Sequence, residues 1–194
     1  MKIMIDIDRV IFDCPSVLAS LGNLIFRDTN EGRKLSYKEI SADTTMDYFN
    51  LMFFSKLSHK ENFKEVENSI DIIKKWQSQG HEIEFVSSRP NIKSFYKPII
   101  AWLKEKGVNF SNIKIACTNK AIYCKLNHFD VMIDDSLKNC ENSSRLGVHS
   151  IWLKTKYNKN TNPDTIPQSV LHANSWSNID NYIQSLQKTK GRIM

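Results

Sequence analysis

The sequence is poor in the residues that interrupt regular structure: 194 residues hold six glycines and five prolines. That excludes a collagen-like chain, and with 41% hydrophobic residues it excludes wholesale disorder. No apolar run approaches the ~20 residues needed to span a bilayer. The start, Met1-Lys2-Ile3-Met4-Ile5-Asp6, lacks the apolar stretch and small-residue cleavage site of a signal peptide, so a cytoplasmic protein without membrane partners is expected. The four cysteines, Cys14, Cys117, Cys124 and Cys140, form neither a CxxC pair nor a zinc-like cluster, and no histidine stands beside them in a recognisable pattern. They are expected to be reduced and mostly buried. Internal repeats are absent, and so is any basic block interleaved with aromatics. The net charge of +6 is spread along the chain. A positive field draws small phosphorylated molecules as well as polynucleotides, so charge alone does not separate the two, and nucleic acid is the weaker expectation.

What the sequence does contain is an alternation. Short apolar, β-branched runs predict strands at residues 2–7, 82–87, 113–117, 129–134 and 149–153. Between them, apolar residues at helical spacing predict helices over 61–79, 92–106, 119–126 and 136–146, with a last one over 177–187. Three of these stop at Gly80, Gly107 and Gly147. Alternating strands and helices imply an α/β, doubly wound, Rossmann-like parallel sheet. Residues 15–60 break the alternation and read as a small helical cap inserted after the first strand, leaving 1–14 and 61–194 as the core. Its aromatics Phe26, Tyr48, Phe49, Phe53 and Phe54 suit either a small core or stacking on a base. Residues 155–175, with Pro163, Pro167 and several asparagines, read as a surface loop.

In such folds ligands gather at the carboxyl ends of the strands, and polar residues collect there. Asp6-Ile7-Asp8 puts two carboxylates on one side of the first strand end, where they could hold Mg²⁺ or divide attack and proton transfer between them. Alone this is a weak signal. Asp134-Asp135 is a second acid pair at a strand end that could complete a metal site. Converging carboxylates repel without a cation, and Mg²⁺ would remove that repulsion. Ser87-Ser88-Arg89-Pro90 follows a strand and precedes a helix, a setting that suits a phosphate oxygen. Lys120, at a helix start, offers a compact cationic donor.

In order, Asp6-Ile7-Asp8, Ser87, Lys120 and Asp134-Asp135 resemble the four motifs of the haloacid dehalogenase-like phosphatase superfamily. The opening from Asp6 to Asp13, the Phe85–Pro90 segment, the stretch from Leu153 through Tyr157-Asn158, and Trp176 look like the 5′(3′)-deoxyribonucleotidase family and related bacterial nucleotidases. The resemblance implies a Mg²⁺-dependent phosphatase acting through an aspartyl-phosphate, with a nucleoside monophosphate as substrate. It makes Asp6 the nucleophile and Asp8 the general acid and then base. Ser87 and Lys120 would hold the phosphoryl group, and Ser88 and Arg89 would add donors to the phosphate or to the rest of the substrate. Mg²⁺ would be bound by the Asp6 carboxylate, the Asp8 main-chain carbonyl and Asp134, with Asp135 acting directly or through water. Two positions depart from the pattern: Ser87 replaces the usual Thr, and Arg9 stands where small residues are usual. A phosphatase of another small metabolite, a nucleic-acid-binding or end-processing module, and a homodimer remain open at this level.

Overall fold

A computed structural model of the chain describes residues 1–13, 64–89, 91 and 93–190. The expected cap over 15–60, its five aromatics and Cys14 therefore lie outside the described residues. Strand β1 (Lys2–Asp6) is followed by two very short strands, β2 (Phe12–Asp13) and β3 (Lys64–Glu65). Then come α1 (Ser69–Ser78), β4 (Glu82–Val86), α2 (Lys93–Glu105), β5 (Asn112–Lys114) and α3 (Lys120–Leu126). The chain continues through β6 (Val131–Asp134), α4 (Leu137–Arg145), β7 (His149–Leu153), β8 (Val170–Ala173) and α5 (Trp176–Lys190).

Six strands form one sheet in the order β5-β4-β1-β6-β7-β8, and every neighbouring pair is parallel. From β1 the chain builds outward to β4 and β5, then crosses back to place β6 on the other side of β1. That reversal opens a crevice at the carboxyl ends of β1 and β6, where doubly wound sheets bind their ligands. The expected α/β, doubly wound sheet is thus the observed fold.

Side-chain alternation decides what enters the crevice. Ile3, Ile5, Phe85, Ile133, Ile151 and Leu153 face one side, where they pack on α1, α2 and α5 through Ile73, Trp76, Trp102, Leu103, Trp176 and Ile179. Met4, Val86 and Met132 face the other side, with Cys117, Cys124 and Phe129 around α3. Both faces are covered, which is why the strands read as continuous apolar runs rather than as alternating ones. With a period of two, Asp6 shares the face of Met4, and Asp134 that of Met132. Both carboxylates therefore point toward the side from which α3 delivers Lys120.

Several segments differ from the sequence expectation; the strand expected over 113–117 runs only from Asn112 to Lys114, with Ala116 at φ 56°. The helix expected over 61–79 begins only at Ser69. Lys64 and Glu65 instead pair antiparallel with Asp13 and Phe12, Val66 N–H donates to Ile11 O at 3.0 Å, and Asn68 turns the chain at φ 62°. The apolar Val66 that suggested helical periodicity packs on the core from this turn. Within the expected loop over 155–175, Val170–Ala173 forms an edge strand registered on Ser150–Leu153. Four residues carry too little periodicity to announce it. The final helix starts at Trp176 and extends to Lys190. Gly107 and Gly147, expected as helix stops, adopt φ of 71° and 83°, a region that disfavours side chains. Cys117, Cys124 and Cys140 are free and buried. No helix among the described residues is long and apolar enough to cross a membrane.

Candidate active site

The pairing of β1 with β6 ends at Ile5 and Ile133, so Asp6 and Asp134 come next, side by side. Lys120 reaches both: its Nζ lies 2.6 Å from Asp6 Oδ1 and 2.8 Å from Asp134 Oδ2. All three are almost wholly buried. The position of Lys120 follows from the helix start. The Asn119 side chain caps α3 by accepting from Ile122 N–H at 3.1 Å, and Lys120 is the first helical residue. Asp134 is fixed further by Ser136 N–H donating to Oδ1 at 2.7 Å and by the Asn139 amide donating to Oδ2 at 3.1 Å.

Asp135 points to the same crevice. Its carboxylate meets the Arg9 guanidinium at 3.3 Å, and its carbonyl accepts from Trp152 Nε1 at 2.8 Å and Asn158 Nδ2 at 2.9 Å. Arg9 occupies a left-handed position, φ 64°, in the turn after β1, and its guanidinium also lies over the Tyr157 ring, 5.0 Å from the centroid. Non-glycine residues adopt this conformation at some cost.

Asp6, Asp134 and Asp135 each offer an oxygen within 4.8 Å of the others. Counted as ionised, these three carboxylates face two cations, Lys120 and Arg9, and the cluster is one positive charge short. Burial and this charge balance together set the titration of the groups. Burial raises the Asp6 carboxyl well above its usual range; Lys120 opposes this, and Asp134, Asp135 and Asp8 add to it. Burial and the Asp134 charge push Asp135 up to about 6 against the pull of Arg9. Burial works against the Lys120 ammonium, but Asp134 and Asp6 outweigh it and hold its pKa above the usual lysine value. An all-oxygen donor set of buried carboxylates with unbalanced negative charge fits a hard divalent cation such as Mg²⁺.

Asp8 is not one of the three. Its carboxylate is turned to Arg89, whose Nε lies 3.1 and 2.9 Å from the two oxygens. Ser87 sits one residue beyond Val86, the partner of Asp6, and is fully buried. Its N–H donates to Lys114 O at 2.8 Å, its carbonyl accepts from Cys117 N–H at 3.0 Å, and its hydroxyl accepts from Arg89 N–H at 3.1 Å. The Ser88 hydroxyl donates to Cys117 O at 3.0 Å. The loop after β4 is thereby stitched to the loop after β5.

The structure therefore brings Asp6, Lys120, Asp134 and Asp135 into one cluster, with Ser87 just past the end of the strand that pairs with β1. It directs Arg89 to Asp8 and Ser88 to its neighbouring loop. Asn139 was not foreseen: nothing in its spacing marks a residue in the first turn of α4 as a partner of Asp134. Arg9, which departs from the family pattern, finds a partner that lies 126 positions away.

Comparison with known proteins bears on the fold and the family. A search of curated protein sequences returns no match. Among solved structures, D,D-heptose 1,7-bisphosphate phosphatase from B. bronchiseptica superposes with a TM-score of 0.61 at 10% identity, over 96% of this chain and 98% of the other. A haloacid dehalogenase-like family hydrolase from Streptococcus pneumoniae gives 0.59 at 10% identity, over 93% and 97%. A β-phosphoglucomutase from Clostridium difficile gives 0.51 at 14%, over 94% and 95%. Identities this low establish the shared fold and nothing finer. The sequence profile of "5′ nucleotidase, deoxy (Pyrimidine), cytosolic type C protein" matches residues 1–189. The chain belongs to this family of phosphoric monoester hydrolases, on a haloacid dehalogenase-like fold.

Proposed function

We propose that the chain is a Mg²⁺-dependent nucleotidase that hydrolyses (deoxy)nucleoside monophosphates through a phosphorylated Asp6. The observation that carries this reading is the buried Asp6–Lys120–Asp134 cluster, where a carboxylate is held against a lysine at the crevice of the sheet. An Asp6 oxygen attacks phosphorus, an Asp6–phosphorus bond forms, and the ester bond to the leaving oxygen breaks. Asp8 gives that oxygen a proton. Asp8 then takes a proton from water as the water attacks phosphorus, and cleavage of the Asp6–phosphorus bond frees inorganic phosphate and restores Asp6. Lys120 and Ser87 neutralise and orient the phosphoryl oxygens, so the protein's work is positioning and charge stabilisation. Asp6, Asp134, Asp135 and the Asp8 main-chain carbonyl would hold Mg²⁺. When bound it supplies positive charge against the phosphoryl oxygens.

Membership of the nucleotidase family supports the nucleotide as substrate, and the insertion over 15–60 is the proposed cap that selects it. A phosphatase panel in Mg²⁺ tests the reading: dUMP or dTMP should be cleaved, and cleavage of sugar phosphates with both nucleotides untouched would refute the nucleotidase. Asp6→Asn should abolish turnover, below about 1% of wild type, while circular dichroism stays unchanged. Hydrolysis at the wild-type rate by that variant would overturn the mechanism.

A further inference from the structure

We infer that Arg89 is a positioning residue for Asp8 in the leaving-group step, rather than a phosphate ligand. The Asp8–Arg89 contact is two-sided. Arg89 Nε meets both carboxylate oxygens, and Nη2 approaches Oδ1 at 2.5 Å. A guanidinium fork matched to both oxygens of one carboxylate fixes its plane as well as its distance.

Several contacts among the described residues hold Arg89 in that place. Its N–H donates to Ser87 Oγ, and its carbonyl accepts from Ala116 N–H at 3.0 Å. The guanidinium lies over the Phe12 ring at 5.5 Å, and Phe12 is wholly buried, packed edge-on against Trp102 at 5.9 Å. The Arg89 side chain is 13% exposed, against 32% for Asp8. The arginine is thus the anchored partner and the aspartate the more exposed one. Asp8 itself sits on a turn, with Arg9 N–H bonded to Phe12 O at 2.9 Å and Ile11 N–H to Ile7 O at 3.1 Å. That turn fixes the backbone at Asp8 and leaves the side-chain torsions to be set by a partner. A carboxyl group that must meet a leaving oxygen gains from having those torsions fixed beforehand, a gain set against the guanidinium's preference for the ionised form.

The inference rests on the reading of Asp8 as general acid, and the experiment separates the two. The value of kcat/KM reports on steps up to departure of the leaving group. A nucleoside alkoxide needs a proton to leave, whereas p-nitrophenolate leaves as a stable anion. Arg89→Met, which keeps an apolar stem against Phe12, should lower kcat/KM for dUMP about 100-fold, the scale of a general-acid contribution, and for p-nitrophenyl phosphate by no more than about threefold. Arg89→Lys should recover only part of the loss, because a point charge cannot span both oxygens. Asp8→Asn should show the same split between substrates, and adding Arg89→Met to it should cost dUMP hydrolysis nothing more. Equal losses for the two substrates in Arg89→Met would mean that Arg89 serves the phosphate they share, and would overturn the inference, as would no loss in either. If Asp8→Asn lacks the split, the acid role of Asp8 falls and the inference with it. If Asp8→Asn shows the split and Arg89→Met does not, only the inference falls.

Discussion

Asp135 shows how a site can be built at the expense of the fold that carries it. Burial and Asp134 push its carboxyl up to about 6, whereas an unfolded aspartate titrates at about 3.9. The native state therefore holds the extra proton, so this group favours folding below about pH 4 and loses that contribution as pH rises through 6. Replacing it removes a destabilising charge at neutral pH. Asp135→Asn in EDTA should melt roughly 3–6 °C higher than wild type at pH 7.5, with the gap closing toward pH 4. Differential scanning fluorimetry across that range checks the sign, and a lower melting point at pH 7.5 would contradict it. The same protons compete with metal. Mg²⁺ affinity measured by calorimetry should weaken as pH falls from 7.5 to 5.5, because Asp6 and Asp135 must release protons to coordinate. At this scale the sequence was legible wherever chemistry meets a strand end: Asp6, Ser87 and Asp134 are found there because strand ends are where the sheet opens. Pairs such as Arg9 with Asp135, or Arg89 with Asp8, join residues 126 and 81 positions apart. They follow from crossovers that no local pattern encodes.

Between elements, one carboxylate ties two helices together behind the sheet. Asp180 on α5 accepts from Lys75 Nζ at 2.7 Å and from Trp76 Nε1 at 2.8 Å on α1, and from its own neighbour Gln184 at 3.0 Å. Trp76 and Trp176 pack beside this contact with ring centroids 5.6 Å apart. Asp180→Ala leaves the indole N–H of a fully buried tryptophan without its partner, at a cost of about 1–3 kcal/mol and several degrees in Tm. Burial would raise the Asp180 carboxyl, but bonds from Lys75, Trp76 and Gln184 overcome it and hold its pKa below the usual value. Its stabilisation is present above the unfolded aspartate pKa and disappears as pH falls through the lower native value. The wild-type advantage should therefore shrink in urea melts below about pH 4, and an advantage that grows with acid would refute the assignment. Elements with ten or more residues at helical spacing, such as α1 and α2, announced themselves in the sequence. The pair β2 and β3 did not, because two-residue strands have no period and are defined by a partner far along the chain.

The whole chain carries a net charge of +6, while its crevice is lined with carboxylates. Lysines and arginines distributed along the chain give a net positive field around a locally acidic cluster, and a field of that sign favours the approach of dianionic esters. Raising KCl from 20 to 300 mM should lower kcat/KM for a nucleoside monophosphate by about two- to fivefold, since screening shortens the reach of exposed charge. A flat salt profile would show that the field contributes nothing to capture. The overall sheet order was legible only as a class: alternation implies a doubly wound sheet, while the place where the chain reverses, and hence the β1–β6 crevice, comes from the packing.

The chain leaves the described core at Asp13 and re-enters it at Lys64, and these two residues are paired neighbours. The intervening segment is therefore spliced into a gap that a single tight hairpin could close. For evolution or engineering it is an exchangeable part: joining Asp13 to Lys64 through Asn-Gly should leave the six-stranded sheet able to fold, as judged by circular dichroism. If this segment selects the substrate, as proposed, exchanging it would change the substrate and leave Asp6, Lys120 and Asp134 in place.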